Sequence, residues 1–435
     1  FDIDNAFLNA PVEDEVYIII PEVWRDKISG SPVKRLVKAL YGLPQAPRAW
    51  QKMYSDFLVK NGWIVSRFEP GMYKKPSKKC PKEYLKLSVY VDDNIMGGPD
   101  KPELKAEVQI ILNRFSGRFL EGSSFGGTFL KYDFLGADFL YDQANGRARL
   151  SMGSYIEKAA ERYGINSGLK TRSPNFDEFP VDDDSQEKSP ENLREILGTL
   201  QWCATVSRPD VARSINLLAR QCCKPNTVPR QKAALKILSF LLATKDHGIS
   251  YGPQFSENFV NEYYWDGHEG GSDVPILNLF SDASFGSGSD EFHSVTGTLL
   301  LYRGVPLYWK SSKQGILSYS TCQAEWIAAS DSIRFCENLG FLNFYLGEEG
   351  WGGLPQNLTI WLDSDSAIKV AKSDELTSKT KHYVLRYHQV RQYSSQIRFC
   401  RTDRQKADGL TKSVTPEQRK LLLGGEGTIE LTNLW

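Results

Sequence analysis

No sign of charge prevails in this sequence of 435 residues: 53 lysines and arginines stand against 53 aspartates and glutamates, a formal net charge of +0. Bulk electrostatics therefore do not draw the chain to nucleic acid, and any such binding must rest on local basic patches. Disulfide and zinc patterns are also missing. The 7 cysteines include no C-x-x-C pair, and only Cys222 and Cys223 are adjacent. That argues for reduced thiols in an intracellular setting and against a disulfide scaffold or a zinc site. No apolar run is long enough to span a bilayer, the first residues do not read as a signal peptide, and no repeat or low-complexity tract occurs. What remains is 41% hydrophobic and 24% charged residues, the balance of a soluble globular protein with a sizeable core and two or three domains.

The most informative feature present is Tyr90-Val91-Asp92-Asp93. The apolar run Leu85 to Val91 precedes the two aspartates, and Ile95-Met96 and Gly97-Gly98 follow them. The pattern predicts a strand, a tight turn and a return strand. Adjacent carboxylates repel, and a divalent cation removes the repulsion, although aspartate also favours turns for its own sake.

Helical spacing covers Pro47 to Gly62, Pro102 to Phe115, Ser154 to Tyr163, Leu193 to Cys222 and Pro229 to Ala243. Strand-like alternation covers Phe129 to Met152, with a turn at Asn145-Gly146. Pro174 to Pro190, with Asp182-Asp183-Asp184, reads as a solvated acidic linker, and Gly248 to Asp273 as a connection. A second α/β unit begins near Ile276. Its strands are expected at Ile276–Phe280, Val295–Tyr302, Val305–Trp309, Leu358–Leu362 and Ile397–Cys400, with helices from Gln323 to Leu346 and from Ser366.

Three blocks in order carry a family resemblance. Asp2-Ile3-Asp4-Asn5-Ala6-Phe7 comes first, then Leu40-Tyr41-Gly42-Leu43-Pro44-Gln45-Ala46-Pro47-Arg48-Ala49-Trp50, then the Asp-Asp hairpin. They closely resemble the palm motifs of copia-type retrotransposon reverse transcriptases, and Phe134-Leu135-Gly136 and Ser207-Arg208-Pro209-Asp210-Val211-Ala212 extend the match. The resemblance implies nucleotide addition with Asp2, Asp92 and Asp93 as catalytic metal ligands, Asp93 being the more peripheral. It makes Phe7, Gln45 and Tyr90 substrate-binding positions, with the Phe7 ring excluding a ribose 2′-hydroxyl. Two Mg²⁺ ions about 4 Å apart serve such a reaction, and Mg²⁺ takes hard oxygen ligands. Mn²⁺ is the alternative ion. The lysines at 74, 75, 78, 79 and 82 either meet phosphates or form a solvated loop.

A second ordered set is Ser281-Asp282-Ala283-Ser284, Ser320-Thr321-Cys322-Gln323-Ala324-Glu325, Leu362-Asp363-Ser364-Asp365 and Ala407-Asp408-Gly409-Leu410-Thr411-Lys412. Each acid alone is an ordinary cap or turn residue. Together they resemble the ribonuclease H domain of the same family, and Thr380-Lys381-His382 adds to the match. Asp282, Glu325, Asp363 and Asp408 are then the catalytic metal ligands. The basic run Lys381, Arg386, Arg391, Arg398, Arg401, Arg404 and Lys406 either suits a hybrid backbone or is a solvated face. Three departures stand out: Asp365 replaces the family's usual Asn, residues 285–289 are Gly/Ser-rich where a Trp is common, and the loop before Asp408 lacks a histidine.

The expected fold is therefore a multidomain α/β (α+β) chain. A reverse-transcriptase palm lacking its fingers (1–150) leads to a thumb-like helical region (151–247), a connection (248–275), a ribonuclease H-like domain (276–415) and a C-terminal tail (416–435). The expected partners are an RNA template, a DNA primer, RNA–DNA hybrid, deoxynucleoside triphosphates and the integrase, protease and capsid parts of one polyprotein, with no membrane. The expected location is a cytoplasmic virus-like particle or, with the integration complex, the nucleus. The alternatives are an inactive or domesticated relic that binds nucleic acid, and a fragment active only as a ribonuclease H. Because the chain starts at Phe1 inside a presumed strand, it is expected to be a piece of a longer polypeptide that cleaves hybrids better than it extends primers.

Overall fold

The computed structural model describes residues 1–166, 173–264, 277–286, 293–337, 358–373 and 384–423. They fall into two compact units, divided between Glu121 and Gly122.

In the first unit the strands are β1 (Asp2–Ile3), β2 (Tyr17–Ile19), β3 (Val33–Arg35), β4 (Ile64–Val65), β5 (Met72–Pro76), β6 (Tyr84–Tyr90), β7 (Asp93–Gly97) and β8 (Gly117–Arg118). Short helices α1 (Ala6–Asn9) and α2 (Glu22–Arg25) precede two long ones, α3 (Ala46–Lys60) and α4 (Lys101–Arg114). Helix α3 buries Trp50, Tyr54 and Leu58, one residue per turn along one face. Trp50 stacks on Tyr54 at 5.0 Å, and the Phe115 ring meets Trp50 edge-on at 5.2 Å. Asp100 caps α4 by accepting the Glu103 amide at 2.8 Å, and Pro102 sits in its first turn. This aromatic core backs a six-stranded sheet in the order β4-β5-β6-β7-β1-β8. The two residues of β1 are thus clamped between the Asp-Asp hairpin and β8. Gly117 permits the close approach of β8, since a Cβ there would meet the Asp2 carbonyl oxygen at 2.2 Å.

The second unit opens with an antiparallel sheet. Its strands are β9 (Ser123–Ser124), β10 (Leu130–Phe134), β11 (Ala137–Asp142), β12 (Arg147–Ser151) and β13 (Gly248–Tyr251), in the order β13-β12-β11-β10-β9. Helices α5 (Gly153–Arg162), α6 (Leu193–Val206), α7 (Ala212–Ala219) and α8 (Val228–Ala243) build the largest apolar core around Ile196, Leu200, Ile215, Ile237 and Phe240. The sequence predicts one helical run from Leu193 to Cys222, and the chain instead breaks after Val206. Pro209 disfavours helical geometry at Arg208, which adopts φ −123° and ψ 66°.

The Arg208 guanidinium forks the Asp210 carboxylate at 2.9 and 2.8 Å and donates to the Thr244 carbonyl at 3.0 Å. Both acid and base are fully buried, so this pair ties the α6–α7 corner to the end of α8. The acidic stretch read as a solvated linker is anchored instead. Asp182 accepts from Gln221 at 2.5 Å, Asp184 accepts from the buried Arg230, and Phe176 and Val181 enter the core. Likewise, the segment read as a connection supplies β13 and helix α9 (Pro253–Tyr263), while residues 265–276 lie outside the described residues.

A third sheet, also in the second unit, comprises β14 (Leu277–Ser284), β15 (Val295–Tyr302), β16 (Val305–Lys313), β17 (Leu358–Leu362) and β18 (Ile397–Phe399), in the order β16-β15-β14-β17-β18. The first three form an antiparallel meander. Strand β17 then runs parallel to β14, and β18 parallel to β17. Strand β14 is buried from Leu277 to Ala283, as expected for a central strand covered on both faces. Helix α10 (Thr321–Glu337) packs on it, capped by Ser320, which accepts the Gln323 amide at 3.2 Å.

Asp210→Ala leaves the Arg208 charge buried without its fork. It should lower the stability of the second unit by about 3–5 kcal/mol, seen as a lower urea midpoint at unchanged slope. A loss below about 1 kcal/mol would show that water or Thr244 already satisfies Arg208.

Candidate functional site

Two carboxylate groups are arranged on these sheets, one per unit. In the first unit, β6 and β7 are joined by Val91 and Asp92, with Tyr90 opposite Asp93. Val91 has a φ of 58°, rare for a β-branched residue and a cost of order 1–3 kcal/mol. The surrounding bonds enforce it. The Trp50 indole donates to the Val91 carbonyl at 2.8 Å, and the Asp92 carbonyl accepts from Asn94 Nδ2 at 2.7 Å and from the Ile3 amide at 3.1 Å.

Phe1 and Asn94 exchange both backbone bonds, at 3.1 and 3.0 Å, so the next pair, Asp2 and Asp93, faces side chain to side chain without ladder bonds between them. Like charges in that relation destabilise a sheet. On its other flank Asp2 faces Arg118, whose guanidinium approaches to 3.4 Å. The Asp92 carboxylate accepts the Tyr41 hydroxyl at 3.3 Å. Partial burial and the Asp92 charge raise the Tyr41 phenol above its ordinary range. The Tyr41 ring lies 4.6 Å from that of Phe7, which is buried in α1. Gln45 is half-buried at the cap of α3, and Tyr90 is exposed. Tyr41 and Trp50 stand inside the Leu40–Trp50 block of the resemblance, while nothing in the sequence around Arg118 marks it as a partner of Asp2.

In the second unit, Asp282, Glu325 and Asp363 offer carboxylate oxygens within 4.8 Å of one another, the one such group of three acids, histidines or cysteines among the described residues. Asp2, Asp92 and Asp93 do not close to that distance. Strand β14 supplies Asp282, the second turn of α10 supplies Glu325, and Asp363 follows the last residue of β17 just before the Ser364 cap of the helix Asp365–Lys372. Parallel pairing of β14 and β17 brings two acids to the same end of the sheet. Asp408 lies close by in a 3-10 turn, Asp408–Leu410, and not at the start of a terminal helix, which begins at Pro416. Its two oxygens accept from Lys412 Nζ and Gln418 Nε2. Thr411 donates its hydroxyl to Asp282.

Burial, then the negative charge of Asp282 and Asp363, raises the Glu325 carboxyl far above its ordinary range. Asp282 is raised by burial too, against the opposing Thr411 hydrogen bond, and Asp363 is raised chiefly by burial. Glu325 Oε2 is buried with no hydrogen-bond partner. An orphaned acid oxygen among hard oxygen donors is the environment a divalent cation such as Mg²⁺ satisfies.

Of the basic run, Arg386 pairs with Asp331 at 2.5 Å, Arg404 donates to the Glu262 carbonyl at 2.9 Å, and the buried Lys406 pairs with Glu262 at 3.1 Å. Arg398 and Arg401 are exposed. Thr380, Lys381 and His382 lie outside the described residues. No helix among the described residues is long and apolar enough to cross a membrane, and all seven cysteines are free.

A family model described as reverse transcriptase (RNA-dependent DNA polymerase) matches residues 1–175. Over 428 residues, 95% of the chain, the sequence is 26% identical to a retrovirus-related Pol polyprotein from transposon TNT 1-94 of Nicotiana tabacum, of which it covers 29%. It is 28% identical over 336 residues, 76% of this chain and 99% of the other, to a putative transposon Ty5-1 protein of Saccharomyces cerevisiae. A Pol polyprotein from transposon RE2 of Arabidopsis thaliana is 27% identical over 420 residues, 95% of this chain and 26% of the relative. The chain thus spans less than a third of the length of the tobacco and Arabidopsis relatives. Among solved structures, a foamy viral protease-reverse transcriptase in complex with dsDNA aligns over 92% of this chain and 67% of that one, at 12% identity and a TM-score of 0.18, too distant to carry an argument. The sequence matches define a class, the reverse transcriptases of retroelements. Residues 1–175 match the reverse-transcriptase family, and the relatives together support a copia-type retrotransposon Pol polyprotein reverse-transcriptase region.

The raised carboxyls set a pH dependence. Their folded affinities for protons exceed the unfolded ones, so above about pH 4 the folded chain binds more protons and loses stability as pH rises. In chelator, the unfolding midpoint of the second unit should fall from about pH 5 to about pH 8, and Mg²⁺, which needs the ionised forms, should restore it at the alkaline end. Glu325→Gln should flatten the slope. An unchanged slope in that variant would show that Glu325 is not the protonated group.

Proposed function

We propose that the chain is the palm, thumb and ribonuclease H portion of a retrotransposon polymerase, with two separate divalent-metal centres. The matched reverse-transcriptase family supports RNA-directed DNA synthesis at the first, with an RNA template, a DNA primer and deoxynucleoside triphosphates as substrates. The observation that carries the second is the cluster of buried Asp282 with half-buried Glu325 and Asp363, in which one Glu325 oxygen is orphaned. The sheet order, an antiparallel meander followed by two parallel strands, supports a ribonuclease H-like scaffold around it. A bound divalent cation supplies Lewis-acid activation and stabilises the charge that develops on the reacting phosphate.

The chain's own residues do the positioning. Thr411 fixes the Asp282 carboxylate, and Lys412 holds Asp408 beside the cluster. Arg398 and Arg401 are exposed and would be open to a phosphate backbone, although Arg398 donates to the Ser395 carbonyl at 2.7 Å and Arg401 pairs with Asp403 at 3.0 Å. In the first unit, the buried Phe7 ring held against Tyr41 is suited to sit under a deoxyribose and refuse a 2′-hydroxyl. A second reading, a fragment active only in RNA cleavage, is favoured by one observation: only the second acid set closes to metal-binding distance. Integrase, protease and capsid partners follow from the polyprotein relatives and belong to this proposal.

Primer extension and hybrid cleavage measured side by side test both readings. Asp92→Asn should abolish extension and leave cleavage near normal, and Asp363→Asn should do the reverse, each lost ligand removing several kcal/mol of transition-state stabilisation. Cleavage that survives Asp363→Asn would misplace the second centre, and extension absent from the parent chain would leave only the cleavage reading.

Phe7→Val should admit ribonucleotides, reducing discrimination by about 1–3 kcal/mol in a chain that extends primers. Equal ribonucleotide incorporation by parent and variant would remove Phe7 from the sugar pocket.

A further inference from the structure

We propose that Arg213 on α7 and Asn175 in the irregular stretch before α6 are positioning residues for the Asp282–Glu325–Asp363 centre and act through the loop Asp408–Val414; this rests on reading that centre as a metal-dependent nuclease.

The loop carries the two side chains that tune the cluster. Thr411, fully buried, donates its hydroxyl to Asp282, and Lys412 donates to Asp408. Which Asp282 lone pairs stay free for a cation depends on where that hydroxyl stands. The main chain of Thr411 is held from outside. Arg213 Nε on α7 donates to the Thr411 carbonyl at 3.0 Å, and its NH1 reaches the Ser413 hydroxyl at 3.5 Å. Asn175 then treats Val414 as a strand partner would. Its Nδ2 donates to the Val414 carbonyl at 3.2 Å, and its Oδ1 accepts the Val414 amide at 3.3 Å. These partners are 198 and 239 residues away in sequence, so the tethers are tertiary.

From inside, the loop has no slack. Strand β15 abuts it at Gly297, where a Cβ would lie 2.7 Å from Thr411 Cγ2 and 2.9 Å from the Ala407 carbonyl oxygen. The loop therefore cannot retreat toward the sheet; on its outer side the two tethers act beside the helix Pro416–Leu422, whose Gln418 holds Asp408 and whose Leu422 packs on Gly409. Trp309 on β16 adds a fixed distance between the same two layers, its indole donating to the Ala204 carbonyl of α6 at 2.6 Å. The nuclease-like centre is thus completed by residues that precede β14 in sequence. Direct hydrogen-bond partners of metal ligands typically govern affinity or rate by about 10–100-fold, and Thr411 is such a partner of Asp282.

The test uses the full chain and two readouts, Mn²⁺ affinity by electron paramagnetic resonance and steady-state hybrid cleavage, with the unfolding midpoint as control. Arg213→Ala should weaken Mn²⁺ binding about tenfold and lower kcat with KM for the hybrid little changed. Arg213→Lys keeps one donor for the Thr411 carbonyl and should recover most of both. Asn175→Ala should weaken Mn²⁺ binding in the same direction. Wild-type Mn²⁺ affinity in Arg213→Ala overturns the proposal. So does equal loss in the alanine and lysine variants in step with a fall in midpoint, because that is a merely structural role. Hybrid cleavage separates this claim from the reading it rests on. If the parent binds Mn²⁺ but cuts no hybrid, the nuclease reading fails and the tethers are still judged by affinity.

Discussion

Like charges held close together against their repulsion are the constraint on which the rest of this molecule turns. Asp282, which is buried, and the half-buried Glu325 and Asp363 approach within 4.8 Å of one another, and Asp2 and Asp93 face each other directly across two strands. Neither arrangement is stable by itself. In the second unit burial raises all three carboxyls, which eases their mutual repulsion by favouring proton uptake. In the first the fold answers with an exposed arginine, Arg118, and with the Tyr41 hydroxyl on Asp92. Both answers are provisional ones that a divalent cation would replace, which is the sense in which an acid cluster is prepared for metal.

Holding charges in place takes a rigid frame, and much of the packing can be read as that frame. The strained Val91 persists because Trp50 and Asn94 fix the turn from both sides, and Trp50 is itself stacked in the aromatic core. In the second unit the buried Arg208–Asp210 fork locks the corner from which α7 projects. Helix α7 in turn carries Arg213 to the loop of Thr411. A stability element, a tether and a carboxylate are thus linked in turn through the backbone of α7 and the hydrogen bonds of Arg213 and Thr411.

Much of the local structure was legible in the sequence because its causes are local. The spacing of Trp50, Tyr54 and Leu58 predicts α3, and the apolar run before Asp92-Asp93 predicts the hairpin. Asp282 and Asp363 beside strand ends and Glu325 in a helix follow from the same pattern; parallel pairing brings the two aspartates to one end of the sheet, and α10 adds Glu325. What was not legible depends on distant partners. The acidic run at 182–184 looks solvated until Gln221 and Arg230 are placed against it. Gly248–Tyr251 looks like a connection until β12 is beside it. The basic run looks available until Glu262 and Asp331 take up Arg386, Arg404 and Lys406. Asp408 shares its block with Lys412, but nothing in that block says that the lysine turns back onto the acid.

Whether the three acids of the second unit hold a divalent cation can be seen by anomalous diffraction at the manganese edge, from crystals of the chain equilibrated with Mn²⁺. A peak is expected at metal–oxygen bonding distance from Asp282, Glu325 and Asp363, with Glu325 Oε2 among the ligands. A well-ordered second unit showing no peak there, its three carboxyls joined to one another through shared protons, would contradict a cation site.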